Sequence, residues 1–158
     1  MQGVSEIEVR AVRYDDPVAQ RLVRAALADL SARYGGPGDE KPVDAAEFAA
    51  PRGAFLLAFL GGEPVGCAGW RSRGDAGELA ELKRMYTSPA ARGKGVARAL
   101  LAAVEDSARS HGRKRLILEC GDRQPEAVSL YVAYGFKRIG NFGHYRHHAG
   151  VLSFGLDL

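Results

Sequence analysis

The chain has 158 residues, of which 46% are hydrophobic and 26% are charged, and its formal net charge is +3. This length and composition predict one globular domain that buries roughly 70% of the surface its unfolded chain exposes, and they exclude a disordered or fibrous protein. The longest strongly apolar run, residues 55–60, is too short to span a bilayer. Two isolated cysteines, Cys67 and Cys120, and a start without signal-peptide features predict reduced thiols and a cytoplasmic location.

The first predicted elements are a strand and a long helix. Apolar residues alternate with charged ones from residue 7 to residue 11, which is the pattern of a half-buried strand. Asp16 and Pro17 predict a helix start, because aspartate accepts hydrogen bonds from the first free N–H groups and proline suits the first helical position. The glycine-rich residues 35–38 end this helix. One apolar stripe predicts its buried face: Val18, Leu22, Val23, Ala26, Leu27, Leu30 and Tyr34.

A short helix and a hairpin follow. Asp44 as the cap and Glu47 at the third helical position predict the helix. The segments 53–60 and 63–71 are predicted to be antiparallel strands, because the two glycines at 61–62 suit the positive backbone angles of a tight turn.

The strand predicted at 78–87 has an irregular pattern. Leu82 and Met85 are its central apolar residues, but their odd spacing places them on opposite faces of a regular strand. One extra residue between them would bring both side chains to the same face. The sequence therefore predicts a β-bulge in this strand.

The second half of the chain predicts a crossover unit and the elements that close the sheet. A helix begins at Val96 and ends near His111, and a buried strand follows at 116–118. A strand, a long helix and a strand in this order predict that the two strands are parallel and adjacent. The remaining predicted elements are a helix at Pro125–Tyr134 and weaker strands at 136–139 and 151–156.

Residues 91–97, between the bulged strand and the next helix, predict an anion site. Gly93 and Gly95 let the backbone approach a ligand closely, and the N–H groups of the first helical turn favour an anion. The segment 83–115 contains nine basic and two acidic residues, so positive charge is concentrated beside this turn and steers a polyanion toward it. A solvated basic helix face after an ordinary glycine turn is the alternative interpretation.

Three motifs then occur in a fixed order. They are Arg92-Gly93-Lys94-Gly95-Val96-Ala97, the segment 81–86 before it, and the segment 127–136 after it, which contains a Leu-Tyr pair and ends in Gly-Phe. Together they resemble the acetyl-CoA signature, the bulged central strand and the following helix of the GNAT superfamily of N-acetyltransferases. The resemblance implies an α/β (α+β) fold in a single domain, residues 1–158, with a mixed sheet of about six to seven strands, about four flanking helices and a bulged fourth strand.

The resemblance also implies acetyl-CoA as the cosubstrate and no metal. The main chain around Met85 and Thr87 would pair with the pantetheine arm, and the N–H groups of residues 93–97 would surround the pyrophosphate. Thr87 departs from the aliphatic residue that is common in the family, and Gln124 stands where many members have asparagine. The implied cofactor-binding residues are Met85, Tyr86, Thr87, Arg92, Gly93, Lys94, Gly95, Val96, Ala97 and Gln124.

Acetyl transfer to an amine needs a base, a stabiliser for the carbonyl oxygen and an acid for the departing sulfur. Glu81 occupies the family's frequent base position, with a solvated strand glutamate as the alternative. The bulge frees main-chain donors, which makes the Met85 N–H the candidate oxyanion stabiliser. Tyr131 is the candidate acid because its phenol is protonated at neutral pH, with a packed core tyrosine as the alternative. Tyr134 and the Cys120 thiol are expected to be structural.

Three histidines, His144, His147 and His148, lie between glycines in a predicted loop or strand. Two of them are four residues apart, but that spacing places two ligands on one face only in a helix, and no carboxylate or cysteine accompanies them. A loop that lines the acceptor pocket, together with Tyr145, is therefore preferred to a metal site.

The leading hypothesis is an N-acetyltransferase that acts on a primary amine by direct attack in a ternary complex. A non-catalytic acyl-CoA-binding or sensing module and a protein lysine or N-terminal acetyltransferase are the alternatives. The predicted partners are acetyl-CoA and an amine, with no nucleic acid and no membrane, and a homodimer is left open. Nucleic-acid binding through the basic stretch is disfavoured because no recognisable binding motif accompanies it. Three carboxylates are candidates for drawing in a cationic amine, with simple solvation as the alternative: Asp39, Glu40 and Glu47.

Overall fold

Seven strands form one mixed sheet in the structure, a computed structural model that describes residues 6–36, 43–143 and 145–158. The strands are β1 (Ile7–Val12), β2 (Gly53–Leu60), β3 (Glu63–Arg73), β4 (Leu79–Thr87), β5 (Arg115–Gly121), β6 (Lys137–Ile139) and β7 (Val151–Asp157). They lie in the order β1-β2-β3-β4-β5-β7-β6. The helices of the described residues are α1 (Pro17–Tyr34), α2 (Val96–Ser110), α3 (Pro125–Tyr134) and two 3-10 helices, Ala45–Phe48 and Pro89–Ala91.

This architecture confirms the predicted α/β class with a mixed sheet and a bulged fourth strand. Strands β1 to β4 are successive antiparallel neighbours. Strand β5 lies parallel to β4 after the α2 crossover, as predicted, and β7 inserts antiparallel between β5 and β6. None of the helices in the described part of the chain combines the length and the apolar character needed to cross a bilayer.

Local sequence explains where the helices begin and end. The Asp16 carboxylate accepts hydrogen bonds from the N–H groups of Val18 and Ala19 at 2.9 and 3.0 Å, which caps α1 as predicted. Asp44 caps the predicted short helix in the same way, and this helix is 3-10 rather than α. Gly135 in the left-handed conformation ends α3.

The helices cover opposite faces of the sheet. Buried residues of α1, such as Leu22 and Val23, pack with Phe55 and Leu57 of β2 in one core. The buried faces of α2 and α3 pack in a second core on the other side of the sheet, with alternate residues of β2 to β5. Any opening between two strands therefore connects the α1 face with the face that carries α2 and α3.

The predicted bulge in β4 is confirmed. Cys67 of β3 pairs with Tyr86, but Gly69, two residues on, pairs with Lys83, so β4 has one extra residue at this point. Arg84 adopts a positive φ of 59° there. The bulge brings Leu82 and Met85 to the same core, as their spacing predicted.

Strands β4 and β5 part in the middle of the sheet. Their register pairs are Leu79 with Arg115, Ala80 with Leu116 and Glu81 with Ile117, and pairing then stops. Strand β4 continues to Thr87 and β5 to Gly121. The divergence of these two central strands, next to the bulge, opens the sheet where the candidate site lies.

Candidate active site

A cleft of about 380 Å³ passes through the sheet between the diverging ends of β4 and β5. Residues 82–86 line it on one side and residues 118–121 on the other. Helix α1 and residues 145 and 148–151 line it on one face of the sheet, while Tyr131 of α3 reaches it from the opposite face. Two molecules that enter from opposite faces can therefore meet inside this cleft.

Tyr131, the predicted acid, lies in α3 at the cleft. The residue is 6% exposed and lines the cleft. Burial, with a smaller contribution from Cys120, raises the pKa of Tyr131, so its phenol keeps its proton at neutral pH. Within the described part of the chain its hydroxyl forms no hydrogen bond, which leaves this proton available to a molecule in the cleft.

Cys120 also lines the cleft. Burial is the main cause that raises the pKa of its thiol to about 11, and the Glu126 carboxylate contributes. A buried, protonated thiol is a poor nucleophile. Cys120 is therefore poorly suited to accept an acyl group.

Glu81, the predicted base, lies next to the cleft but does not line it. Its side chain is 3% exposed, and one carboxylate oxygen lies 3.1 Å from Arg71 Nε and 3.5 Å from Arg73 Nε. Arg71 also binds Glu47 at 2.8 Å. Burial alone would lower the pKa of Arg71, but its interactions with Glu81 and Glu47 raise it. These four side chains form a charge network where β4 and β5 begin to part.

Glu119 is the cleft carboxylate that the sequence analysis missed. Leu118 and Cys120, its neighbours in β5, point into the α2 and α3 core, so Glu119 points to the α1 face and lines the cleft. Its Oε2 accepts a hydrogen bond from the Gly143 N–H at 3.0 Å. A Cβ on Gly143 would overlap the Glu119 carboxylate, so the missing side chain lets this loop cover it. Side chains along a strand alternate between its two faces, so Glu119 shares a face with Ile117. This alternation was the signal that could have identified Glu119.

The predicted pyrophosphate turn has the expected backbone. Gly93 and Gly95 have φ values of 78° and 88°, and α2 begins directly after Gly95 with no side-chain cap and no acidic residue in its first turn. A Cβ on Gly93 would meet no atom within 4 Å, so the space above it is open. An uncapped helix start of this kind suits an anion, so the turn stays the predicted pyrophosphate site.

The basic residues of segment 83–115 are less concentrated around this turn than their sequence spacing suggests. Arg109 binds the acidic residues of α2, Arg113 stacks over Trp70, and Arg115 binds Asp157. Arg92 and Lys94 are exposed at the turn itself, and Arg92 Nε donates to the Thr87 carbonyl at 3.0 Å.

The remaining predicted site residues lie on both sides of the sheet opening. Met85 and Tyr86 line the cleft, on the stretch of β4 that β5 does not pair with. Gln124 caps α3 and lines the cleft, and its amide donates to the Tyr34 hydroxyl at 3.4 Å. Tyr134 turns away from the cleft and donates to Glu105 of α2 at 2.6 Å.

The loop that was predicted to line the acceptor pocket contributes two of its residues to the cleft. Tyr145 and His148 line the cleft, with ring centroids 5.2 Å apart, whereas His147 is exposed elsewhere. Glu47 binds Arg71 instead of lining the cleft. His144, Asp39 and Glu40 lie outside the described residues. The described residues contain no group of three or more potential metal ligands.

Comparison with known proteins decides the family. The model of the acetyltransferase (GNAT) family matches residues 18–136. This chain belongs to the GNAT family. The match includes nearly all of α1, the bulged strand, the glycine turn and Tyr131, and it leaves out only the part of the cleft that residues 145 and 148–151 line.

Relatives of this GNAT protein carry acetyltransferase names. An IAA acetyltransferase of Azospirillum brasilense is 40% identical over 103 residues, which are 65% of this chain and 67% of that protein. An uncharacterized N-acetyltransferase of Escherichia coli (strain K12), YjgM, is 32% identical over 144 residues, 85% of this chain and 84% of the relative. These relatives support a transferase.

Solved structures show the same fold. The crystal structure of a GNAT-family acetyltransferase from Staphylococcus aureus superimposes with a TM-score of 0.76 over 96% of this chain and 99% of that one, at 18% identity. The resemblance inferred from the three motifs, and the fold that it implied, are therefore confirmed.

Proposed function

We propose that this GNAT protein, as one domain over residues 1–158, transfers an acetyl group from acetyl-CoA to a primary amine by direct attack. The observation that carries the proposal is the cleft through the sheet, with Tyr131 on one face and Glu119 on the other. A thioester reaching the cleft along α2 and α3 would meet an amine arriving from the α1 side.

The residues present fit acetyl-CoA. The uncapped start of α2 with Gly93 and Gly95 suits a pyrophosphate, with charge from Arg92 and Lys94. The main chain of β4 at residues 85–87, beyond its pairing with β5, suits an extended pantetheine arm. When bound, acetyl-CoA supplies an acetyl group activated as a thioester.

Two groups of this chain act on the reacting carbonyl and sulfur. The Met85 N–H, directly after the bulge, stabilises the carbonyl oxygen as it becomes negative. Tyr131 gives its proton to the departing sulfur. The amine nitrogen forms a C–N bond as the C–S bond breaks, and the amine proton passes to a carboxylate. The carboxylate then releases this proton to water and Tyr131 regains one from water, so the net result is one proton moved from the amine to the thiol.

Two carboxylates compete for the role of base. Glu81 is the position that the family resemblance favours, but proton uptake there would give up its ion pairs with Arg71 and Arg73. Glu119 lies on the same face of the sheet, two residues beyond the last β4–β5 pair, and lines the cleft. We assign proton removal from the amine to Glu119, directly or through water.

A thiol-release assay with acetyl-CoA and a panel of amines tests the proposal. Tyr131→Phe is expected to lower kcat by about 100-fold, because a positioned acid contributes 10²- to 10⁴-fold, while acetyl-CoA affinity by calorimetry changes by less than about twofold. Tyr134→Phe, on the same helix, is the matched control and should keep kcat within about threefold. Equal effects of the two changes would remove Tyr131 from the mechanism.

The two carboxylates are separated by a second pair of variants. Glu119→Gln is expected to lower kcat by about 100-fold. Glu81→Gln is expected to act mainly on stability. A larger loss of kcat in Glu81→Gln than in Glu119→Gln would return the base role to Glu81. Acetyl-CoA binding without thiol release for any amine would favour the sensing module.

A further inference from the structure

The apolar stripe of α1 continues beyond the core that it helps to form. Leu22 and Val23 are buried against β2 and β3, and Leu27 packs at the edge of the same core. Leu30 is partly exposed and belongs to neither of the two cores formed by the described residues. Leu27 and Leu30 both line the cleft. Apolar side chains that face a cleft gain free energy when an apolar ligand covers them.

Glu119 lines the same cleft as these apolar side chains. One of its oxygens accepts the Gly143 N–H, and a carboxylate can accept further hydrogen bonds from an ammonium group. Asp29 also lines the cleft but is bound to Arg33 at 3.1 Å. Lys83 and Arg84 line it from β4, and each is engaged in interactions of its own.

The rings of Tyr145 and His148 add aromatic surface beside the same space. Apart from the Asp29–Arg33 ion pair, the cleft therefore combines the Glu119 carboxylate with aliphatic and aromatic walls. Its volume of about 380 Å³ lies in the range of pockets that hold small molecules.

From this arrangement we infer the acceptor class: a small primary amine with a compact apolar or aromatic body. Its ammonium group binds Glu119 and its body covers Leu27 and Leu30, which makes Leu30 a specificity-determining residue. This inference rests on the proposed function, since it names the acceptor of the same reaction. A polar amine of similar basicity would leave Leu27 and Leu30 exposed to water. A lysine within a protein would place polar backbone groups against them.

Three acceptors test the class: 2-phenylethylamine, ethanolamine and a lysine-containing peptide, each with acetyl-CoA in the thiol-release assay. The wild type is expected to show a kcat/KM for 2-phenylethylamine at least tenfold above the other two. Leu30→Asn should reduce the ratio of kcat/KM for 2-phenylethylamine to that for ethanolamine by about tenfold, since the discrimination comes from burying an apolar group. Ala28→Asn, at an exposed position two residues away, is the matched control and should leave that ratio unchanged.

The outcomes separate the inference from the proposed function. Thiol release with none of the amines would overturn the proposed function itself. Preferential turnover of ethanolamine or the peptide would overturn the acceptor class and leave the acetyltransferase intact. An unchanged kcat/KM ratio in Leu30→Asn, with an unaltered thermal midpoint and acetyl-CoA affinity, would show that Leu30 does not determine specificity. A ratio that falls in both Leu30→Asn and Ala28→Asn would show the same.

Discussion

The side chain of Tyr34 occupies the space that a side chain on Gly121 would need. A Cβ on Gly121 would overlap the Tyr34 hydroxyl. This hydroxyl accepts the Arg123 N–H at 3.1 Å, and the Arg123 guanidinium lies 5.7 Å from the centre of the Tyr34 ring. Arg33 donates to the Arg123 carbonyl and binds Glu126. These contacts hold the end of α1, which lines the cleft, against the loop that leads into α3.

We expect Gly121→Ala to break the contacts between Tyr34 and Arg123. The new methyl group displaces the Tyr34 side chain from its hydrogen bonds, at a cost of about 1–2 kcal/mol in the free energy of unfolding. In a Tyr34→Ala background the same change should cost less than about 0.5 kcal/mol, because the obstructing ring is gone. Urea unfolding of the two single variants and the double variant measures this coupling. Additive costs would show that Gly121 and Tyr34 do not interact.

Gly93→Ala is expected to weaken acetyl-CoA binding specifically. Gly93 and Gly112 have nearly the same positive φ, 78° and 76°, and each has open space where a Cβ would lie. Alanine at either position should therefore lower stability by about 1 kcal/mol. Only Gly93 lies in the predicted pyrophosphate turn, so only Gly93→Ala should raise the Kd for acetyl-CoA, by about tenfold in calorimetry. A similar increase in Gly112→Ala would assign the effect to general destabilisation.

Glu81→Gln is expected to destabilise the fold even if Glu81 takes no part in catalysis. The change removes the anion that Arg71 and Arg73 share and leaves partly buried guanidinium groups without it. We expect a loss of about 2 kcal/mol in the free energy of unfolding. Glu63→Gln, at an exposed strand position, is the control and should change stability by less than about 0.5 kcal/mol. Equal urea midpoints for Glu81→Gln and the wild type would show that the network does not stabilise the fold.

The buried Cys67 thiol predicts a loss of stability at alkaline pH. Cys67 Sγ donates to the Arg84 carbonyl at 3.1 Å, and burial raises its pKa from 9.0 to about 12. Between these values the unfolded chain releases the thiol proton while the folded chain keeps it, so the free energy of unfolding falls as pH rises above 9.

Cys67→Ser tests this prediction, because a serine hydroxyl keeps the donor but does not titrate in this range. Between pH 8.5 and 10 the variant should lose less unfolding free energy than the wild type; both proteins retain Cys120, so its titration does not account for the difference. Parallel pH dependences of the two proteins would contradict the prediction.

Local patterns in the sequence were sufficient for most elements and for the glycine turn before α2. The Asp16-Pro17 start of α1, the glycine turn before α2 and the odd spacing of Leu82 and Met85 each predicted the structure found there. These signals are local because caps, positive φ angles and strand alternation depend on residues only a few positions apart.

The acceptor side was decided by tertiary structure. Glu81 and Glu119 both follow the strand pattern and point to the same face of the sheet, and no local signal shows which one enters the cleft. That choice follows from where β4 and β5 stop pairing, and from two arginines on β3 that bind Glu81. By itself the sequence determined the elements and the glycine turn before α2, because those depend on near neighbours. Only the packing of distant strands decided which carboxylate lines the cleft.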